Sequence, residues 1–167
     1  MDADAKKTAL RMIPYGLYVL TAEDSEGGIT AATVNWVTQT AFNPPLLVVG
    51  IKADSNAYAT VRKAGAFALN MLGKGQQGLA FAFFKPATVE GERIGGQPFR
   101  RGTTGAPILT ELPAAVECRV TDLIERGCHH IVVGEVVEAH LMQPPAGRPD
   151  AAILEMKDLG EKVFYGG

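Results

Sequence analysis

Apolar and polar positions recur with two different periods along this chain. Residues Ala3 to Ile13 place apolar side chains at Ala5, Ala9, Met12 and Ile13, a helical spacing that Pro14 ends. Tyr15 to Ala22 is rich in β-formers, Glu23 to Gly28 supplies turn residues, and a second β-rich run extends from Ile29 to Phe42. Asn43-Pro44-Pro45 breaks that run, and Leu46 to Lys52 predicts a strand buried on both faces. Ala53-Asp54-Ser55 offers an N-cap, Ala57, Val61 and Ala64 form an apolar stripe, and Gly65 closes a helix. Ala66 to Leu72 then returns as a strand.

Leu79 to Phe84 predicts a short buried helix ended by Pro86. The segment Ala87 to Gly105, with five glycines and one proline, reads as a long excursion of the kind that is often functional or faces a partner. Ala114 to Ile124 and His129 to Met142 predict two long strands about a turn at Arg126-Gly127. Gln143 to Pro149 is a proline-rich loop, and a last strand is expected from Glu161 to Tyr165. Strands joined by short turns, with a few helices among them, favour a mainly β fold: an antiparallel split β-barrel with peripheral helices rather than a doubly wound parallel sheet.

Length and composition narrow the class. At 167 residues, 47% apolar and 20% charged, the chain suits a single packed domain over residues 1–167. Sixteen basic against 18 acidic residues leave a net charge of −2 with no block of either sign, so neither nucleic acid nor a membrane surface is an expected partner. The longest apolar run, Leu46 to Ile51, is far too short to span a bilayer, no signal-peptide core follows the amino terminus, and the cytoplasm is expected. The hairpin separates the two cysteines, Cys118 and Cys128, by roughly 20 Å at strand rise, too far for a disulfide. Without CxxC spacing they make no zinc or redox motif, and buried thiols are expected.

Three segments carry candidate chemistry. In the first, Thr33, Asn35, Thr38, Gln39 and Thr40 crowd into eight residues of one β run, where buried polar groups need partners. A planar ligand with a polar edge would supply them, with Trp36 covering its apolar face; a sheet face open to water is the alternative. In the second, Lys52, Ser55 and Asn56 sit where a strand feeds a helix, a combination of cation, hydroxyl and free amides that suits phosphate. An ordinary N-cap beside a solvated lysine is the alternative. The third is Gly127-Cys128-His129-His130. Neighbouring strand residues face opposite ways, so the two histidines cannot share one pocket and a two-histidine metal site is disfavoured. At most one imidazole can line a given site, and the other is then bonded within the fold.

Taken together, these segments resemble the flavin reductase-like family with its FMN-binding split barrel, from about Leu10 to about Ala139. Tyr15 to Thr21 is more similar to flavoredoxins, and Asn43-Pro44-Pro45-Leu46, Lys52 to Asn56 and Gly65 to Asn70 carry the likeness in combination. The resemblance implies FMN, with FAD as the other flavin, held by Thr33, Val34, Asn35 and Trp36, with Gln39 and Thr40 close by and Lys52, Ser55 and Asn56 at the phosphate. It implies NAD(P)H as donor and His129 near the nicotinamide, although the family's aspartate and threonine of that hairpin are Cys128 and His130 here. It also implies a homodimer, a loop at Ala87 to Gly105 available to cover the flavin, and a closing strand near Lys162 to Gly167.

Two functions remain open on these grounds. One is an NAD(P)H-dependent flavin reductase, an oxidoreductase that passes electrons through the flavin to a small-molecule or protein acceptor. The other is a flavoredoxin-type carrier with no nicotinamide site.

Overall fold

The computed structural model describes residues 1–165. Helix α1 (Ala3–Arg11) is capped by the Asp2 carboxylate, which accepts from the Ala5 amide at 2.6 Å, and none of its side chains is buried. Strands β1 (Tyr18–Glu23) and β2 (Ile29–Val34) form a hairpin, β3 (Val37–Phe42) and β4 (Pro45–Lys52) a second. The first turn is held by Asp24, whose carboxylate accepts from the Glu26 and Gly28 amides at 3.0 and 2.8 Å. The Asn43-Pro44 bond in the second turn is cis. Helix α2 (Asn56–Ala64) begins at Ser55, whose hydroxyl accepts from the Tyr58 amide, and ends at Gly65 with φ +65°.

Strand β5 (Ala66–Met71) and helix α3 (Gln77–Ala82) follow. Within the expected excursion the chain builds four short strands, β6 (Val89–Glu90), β7 (Arg93–Ile94), β8 (Gln97–Arg101) and β9 (Pro107–Leu109). Then come β10 (Ala114–Ile124), β11 (His129–Leu141), helix α4 (Pro149–Ala152) and a 3-10 turn at Met156–Leu159. Seven strands pair antiparallel in the order β2-β1-β5-β10-β11-β4-β3, and β6 to β9 form a second, small sheet. Among the described residues no helix is long and apolar enough to cross a membrane.

The two edge strands of the large sheet, β2 and β3, are consecutive in the chain and separated only by Asn35 and Trp36. The sheet therefore curls until its edges approach at these two residues, where the Gly50 amide of β4 donates to the Trp36 carbonyl at 2.8 Å. Inside the curl, Leu20, Val34, Val49, Ile51, Phe67, Leu69 and Val132 pack with Tyr58 and Val61 of α2. A second core joins Leu17, Val19, Leu72, Phe83, Ile94, Phe99, Leu109 and Leu154, which ties the small sheet and the carboxyl-terminal segment to β1. Each such side chain, fully buried, contributes about 1.5–3 kcal/mol.

One carboxylate is locked between the sheets. Glu117 of β10 is wholly buried and accepts from the Thr103 amide (3.0 Å), the Thr104 amide and hydroxyl (both 2.6 Å) and His140 Nε2 (2.7 Å). Burial alone would push its carboxyl up, but these bonds outweigh burial and hold it at about 2. A Cβ on Gly102 would lie 2.3 Å from Glu117 Oε1, so only glycine lets the loop wrap the carboxylate.

Five expectations about the fold need correction. The run from Ile29 to Phe42 is not one strand but two, because Asn35 and Trp36 carry the chain from one sheet edge to the other. Ala87 to Gly105 is not an unstructured excursion: its glycines at 91, 95 and 96 take positive φ and make hairpin turns. In α3 only Ala80 is buried, since Phe81 turns outward against Phe84. Glu161 to Tyr165 forms no strand; Gly160, at φ +127°, redirects the chain, and the aromatic residues that follow pack on side chains instead of pairing. The last two residues of the closing strand implied by resemblance lie outside the described residues. The cysteines are free as expected, but only Cys118 is buried; Cys128 is exposed at the hairpin tip. Burial and the neighbouring Glu117 push the Cys118 thiol up to about 12.

Candidate active site

Thr33, Val34 and Asn35 at the end of β2 meet Lys52 and Ser55 at the end of β4 across a small cleft that Gly50, Ile51, Ala57 and Tyr165 also line. Asn35 decides its character. The residue is 2% exposed, yet its side-chain Nδ2 has no hydrogen-bond partner. An amide donor so placed costs free energy unless something supplies an acceptor, so the position suits a bound polar group.

The other polar residues of this strand are already served. Thr33 is fully buried, its hydroxyl donating to the Ala80 carbonyl at 2.8 Å and its amide to the Phe83 carbonyl at 2.9 Å. It therefore anchors β2 to α3 and presents no free hydroxyl to the cleft. Thr38, Gln39 and Thr40 lie exposed on β3, bonded to nearby carbonyls, and Gln39 lines a different cavity of about 230 Å³ with Tyr18, Leu47 and Met71. The structure thus does not bring Gln39 and Thr40 to the cleft that holds Asn35. Asn56 is exposed in the first turn of α2, outside the lining, with its carbonyl accepting from the Thr60 hydroxyl.

Lys52 and Ser55 flank the start of α2. Ser55 Oγ donates to the Lys52 carbonyl at 2.7 Å, and Lys52 Nζ lies 3.2 Å from the Asp54 carboxylate. That hydrogen bond and the lysine's charge lower the Asp54 carboxyl. An arriving phosphate would compete with Asp54 for the lysine.

His129 pairs across the β4–β11 ladder with Lys52, and His130 with Ile51. The histidines face opposite ways. His129 stands edge-on to Trp36 with centroids 4.6 Å apart, its Nδ1 3.3 Å from Cys128 Sγ and its Nε2 bonded to the Tyr165 hydroxyl. His130 packs on Tyr58 of α2 at 4.7 Å, with a buried Nδ1 that has no partner. Burial, then the charge of Lys52, lowers the pKa of His129, which favours the neutral ring.

Trp36 leaves the sheet and lies along β4, where a Cβ on Gly50 would come within 3.3 Å of the indole. Beyond Trp36 opens a cavity of about 590 Å³ between the end of α1 and the carboxyl-terminal segment, lined by Leu10, Met12, Tyr15, Met156, Phe164 and Tyr165 among others. Tyr165 escaped the sequence reading because a strand assignment hides which side chains pack; the adjacent aromatics Phe164-Tyr165 after Gly160 were the available signal.

The family model described as "Flavin reductase like domain" matches residues 10–154. The chain belongs to this family. A Rhizobium meliloti protein named "Probable flavin reductase" is 33% identical over 135 residues, covering 81% of this chain and 42% of that one. The "FMN reductase (NADH) RutF" of Pseudomonas syringae is 33% identical over 119 residues, covering 71% of this chain and 66% of that one. Among solved structures, the styrene monooxygenase flavin reductase from Pseudomonas putida S12 superposes with a TM-score of 0.70 at 25% identity, covering 83% of this chain and 87% of that one. The chain thus spans less than half the length of the first of these relatives.

Proposed function

We propose that this chain is a flavin-dependent oxidoreductase that binds FMN with its phosphate end held at the cleft between β2 and the start of α2, and accepts electrons from NAD(P)H. The observation that carries the reading is the buried, unpartnered Asn35 amide, set opposite a lysine and a helix N-terminus within a family of flavin reductases. These residues fit the cofactor: an unsatisfied donor for a ring or ribityl oxygen, and a cation with a helix start for the phosphate. The flavin supplies two-electron chemistry when bound. The protein's part is to hold it. Lys52 and the first amides of α2 neutralise phosphate, Asn35 donates to an acceptor edge, Val34 and Trp36 exclude water, and His129 presents an imidazole on the face shared with Trp36.

A relative named for FMN and NADH supports FMN and a nicotinamide donor. We read the curled sheet as a split barrel and residues 1–167 as one domain. We also propose a homodimer, since Phe42 (90% exposed), Leu141 (62%) and the unburied α1 leave apolar surface for a second copy. The acceptor is free flavin or a protein partner.

Absorbance of the purified protein, identification of the released flavin and stopped-flow mixing with NADH and NADPH test the reading. Bleaching of the flavin band within turnover time is expected. No bleaching with either donor favours the carrier, a reading that one feature supports: Cys128 stands where the family's aspartate would orient His129, and a thiol does so poorly.

A further inference from the structure

The polar cleft of Thr33, Asn35, Lys52 and Ser55 has a volume of only about 40 Å³, room for a few waters but not for a whole flavin. Next to it lies the apolar cavity of about 590 Å³ bounded by α1, Trp36 and the carboxyl-terminal segment. Tyr165 lines both. Its ring lies 5.1 Å from Trp36 and 5.3 Å from His129, and its hydroxyl is bonded to His129 Nε2.

Resting on the flavin reading above, we propose that Tyr165 is a removable partition: flavin displaces it, the two spaces become one site, and the isoalloxazine ring takes the apolar chamber while the phosphate stays at Lys52. Several features agree. The joined space falls in the size range of cofactor pockets, apolar walls at one end and few polar groups at the other. The chamber is mostly apolar, with Leu10, Met12, Tyr15, Met156 and Phe164 offering large apolar faces to a planar aromatic ring, although four charged residues also line it. The Asn35 amide, which has no acceptor within the protein while Tyr165 is in place, would gain one from a ligand in the joined site. The partition is also lightly held. Residues 161–165 join no sheet, Tyr165 is 41% exposed, and the residues beside it are held by Val163 against the second core and by the Arg11 guanidinium 3.8 Å over the Phe164 ring, on a helix with no buried side chain. Segments with so few buried contacts open at low cost. Leaving also frees His129 Nε2, so donor access and flavin binding share one movement.

Trp36 is the sole tryptophan, and its emission reports the partition directly. In flavin-free protein, acrylamide should quench Trp36 more strongly in Tyr165→Ala, and in a chain shortened after Gly160, than in the unaltered protein; equal quenching overturns the docked tail. In titrations of flavin-free protein, Tyr165→Ala should bind FMN and riboflavin about tenfold more tightly, because the competent state no longer has to be won from a stacked ring. Tyr165→Phe, which keeps the stack, should gain less. A gain with FMN but not riboflavin would place the ring outside the chamber, and weaker binding of both would make Tyr165 a wall of the site; either result overturns the proposal. If neither flavin binds any of these proteins the flavin reading itself fails, and the quenching comparison still judges the partition separately.

Discussion

Replacing Glu117 by glutamine keeps the shape of the side chain and removes the charge that four donors converge on. In the folded chain this carboxyl titrates at about 2, against an ordinary value of 4.5. The difference corresponds to about 3 kcal/mol of stability at neutral pH. The side chain is fully buried, so solvent does little to screen it. Its sign is that of a depressed carboxylate. On acidification the unfolded chain takes up the proton near pH 4.5 and the folded chain only near 2, so the stabilisation is complete above about pH 5 and drains away between those values. Glutamine keeps one acceptor oxygen but turns an NH2 group toward the Thr103 and Thr104 amides, where donors face a donor. Urea unfolding at one fixed protein concentration should therefore show Glu117→Gln about 3 kcal/mol less stable at pH 7, with the gap shrinking to about 1 kcal/mol or less near pH 2.5. A gap that is the same at both pH values would refute the assignment of the stabilisation to the buried charge.

Further substitutions probe the proposed site. Lys52→Ala should weaken FMN about tenfold and leave riboflavin almost unchanged, as flavin fluorescence titration would read; equal loss for both would mean that Lys52 acts through the fold. Asp54→Asn should tighten FMN by about two- to fivefold, again without effect on riboflavin, because it frees the lysine from its 3.2 Å partner. His129→Ala should slow flavin reduction by NADH or NADPH while flavin affinity and reduction by dithionite hold, whereas His130→Ala should leave reduction intact and cost about 1 kcal/mol in urea unfolding. Reversed phenotypes would contradict the facing seen at Trp36 and Tyr58. Light scattering at two micromolar concentrations should give a dimer's mass at both, and a monomer's mass would remove the second copy from the proposal.

What could be read from the residues is what local rules govern. Ser55 and Gly65 delimit α2 because an N-cap hydroxyl and a left-handed C-cap act within a few residues, and His129 and His130 diverge because strand residues alternate. The places that misled are those where distant chain decides. Nothing local marks Asn35-Trp36 as a strand break; the break exists because β2 and β3 lie on opposite edges of a curled sheet, and only the order of all seven strands makes that necessary. The same long-range geometry redistributes the polar residues of this β run. Thr33 is taken by the Ala80 carbonyl of α3 and Gln39 by its own strand, which leaves Asn35 as the donor without a partner. A cluster of polar residues in one β run is thus weak evidence for a ligand until each donor has been assigned. The strength of the Asn35 observation comes from this subtraction: the fold satisfies the neighbours of Asn35 and spends burial on this one amide, an arrangement that pure packing would select against.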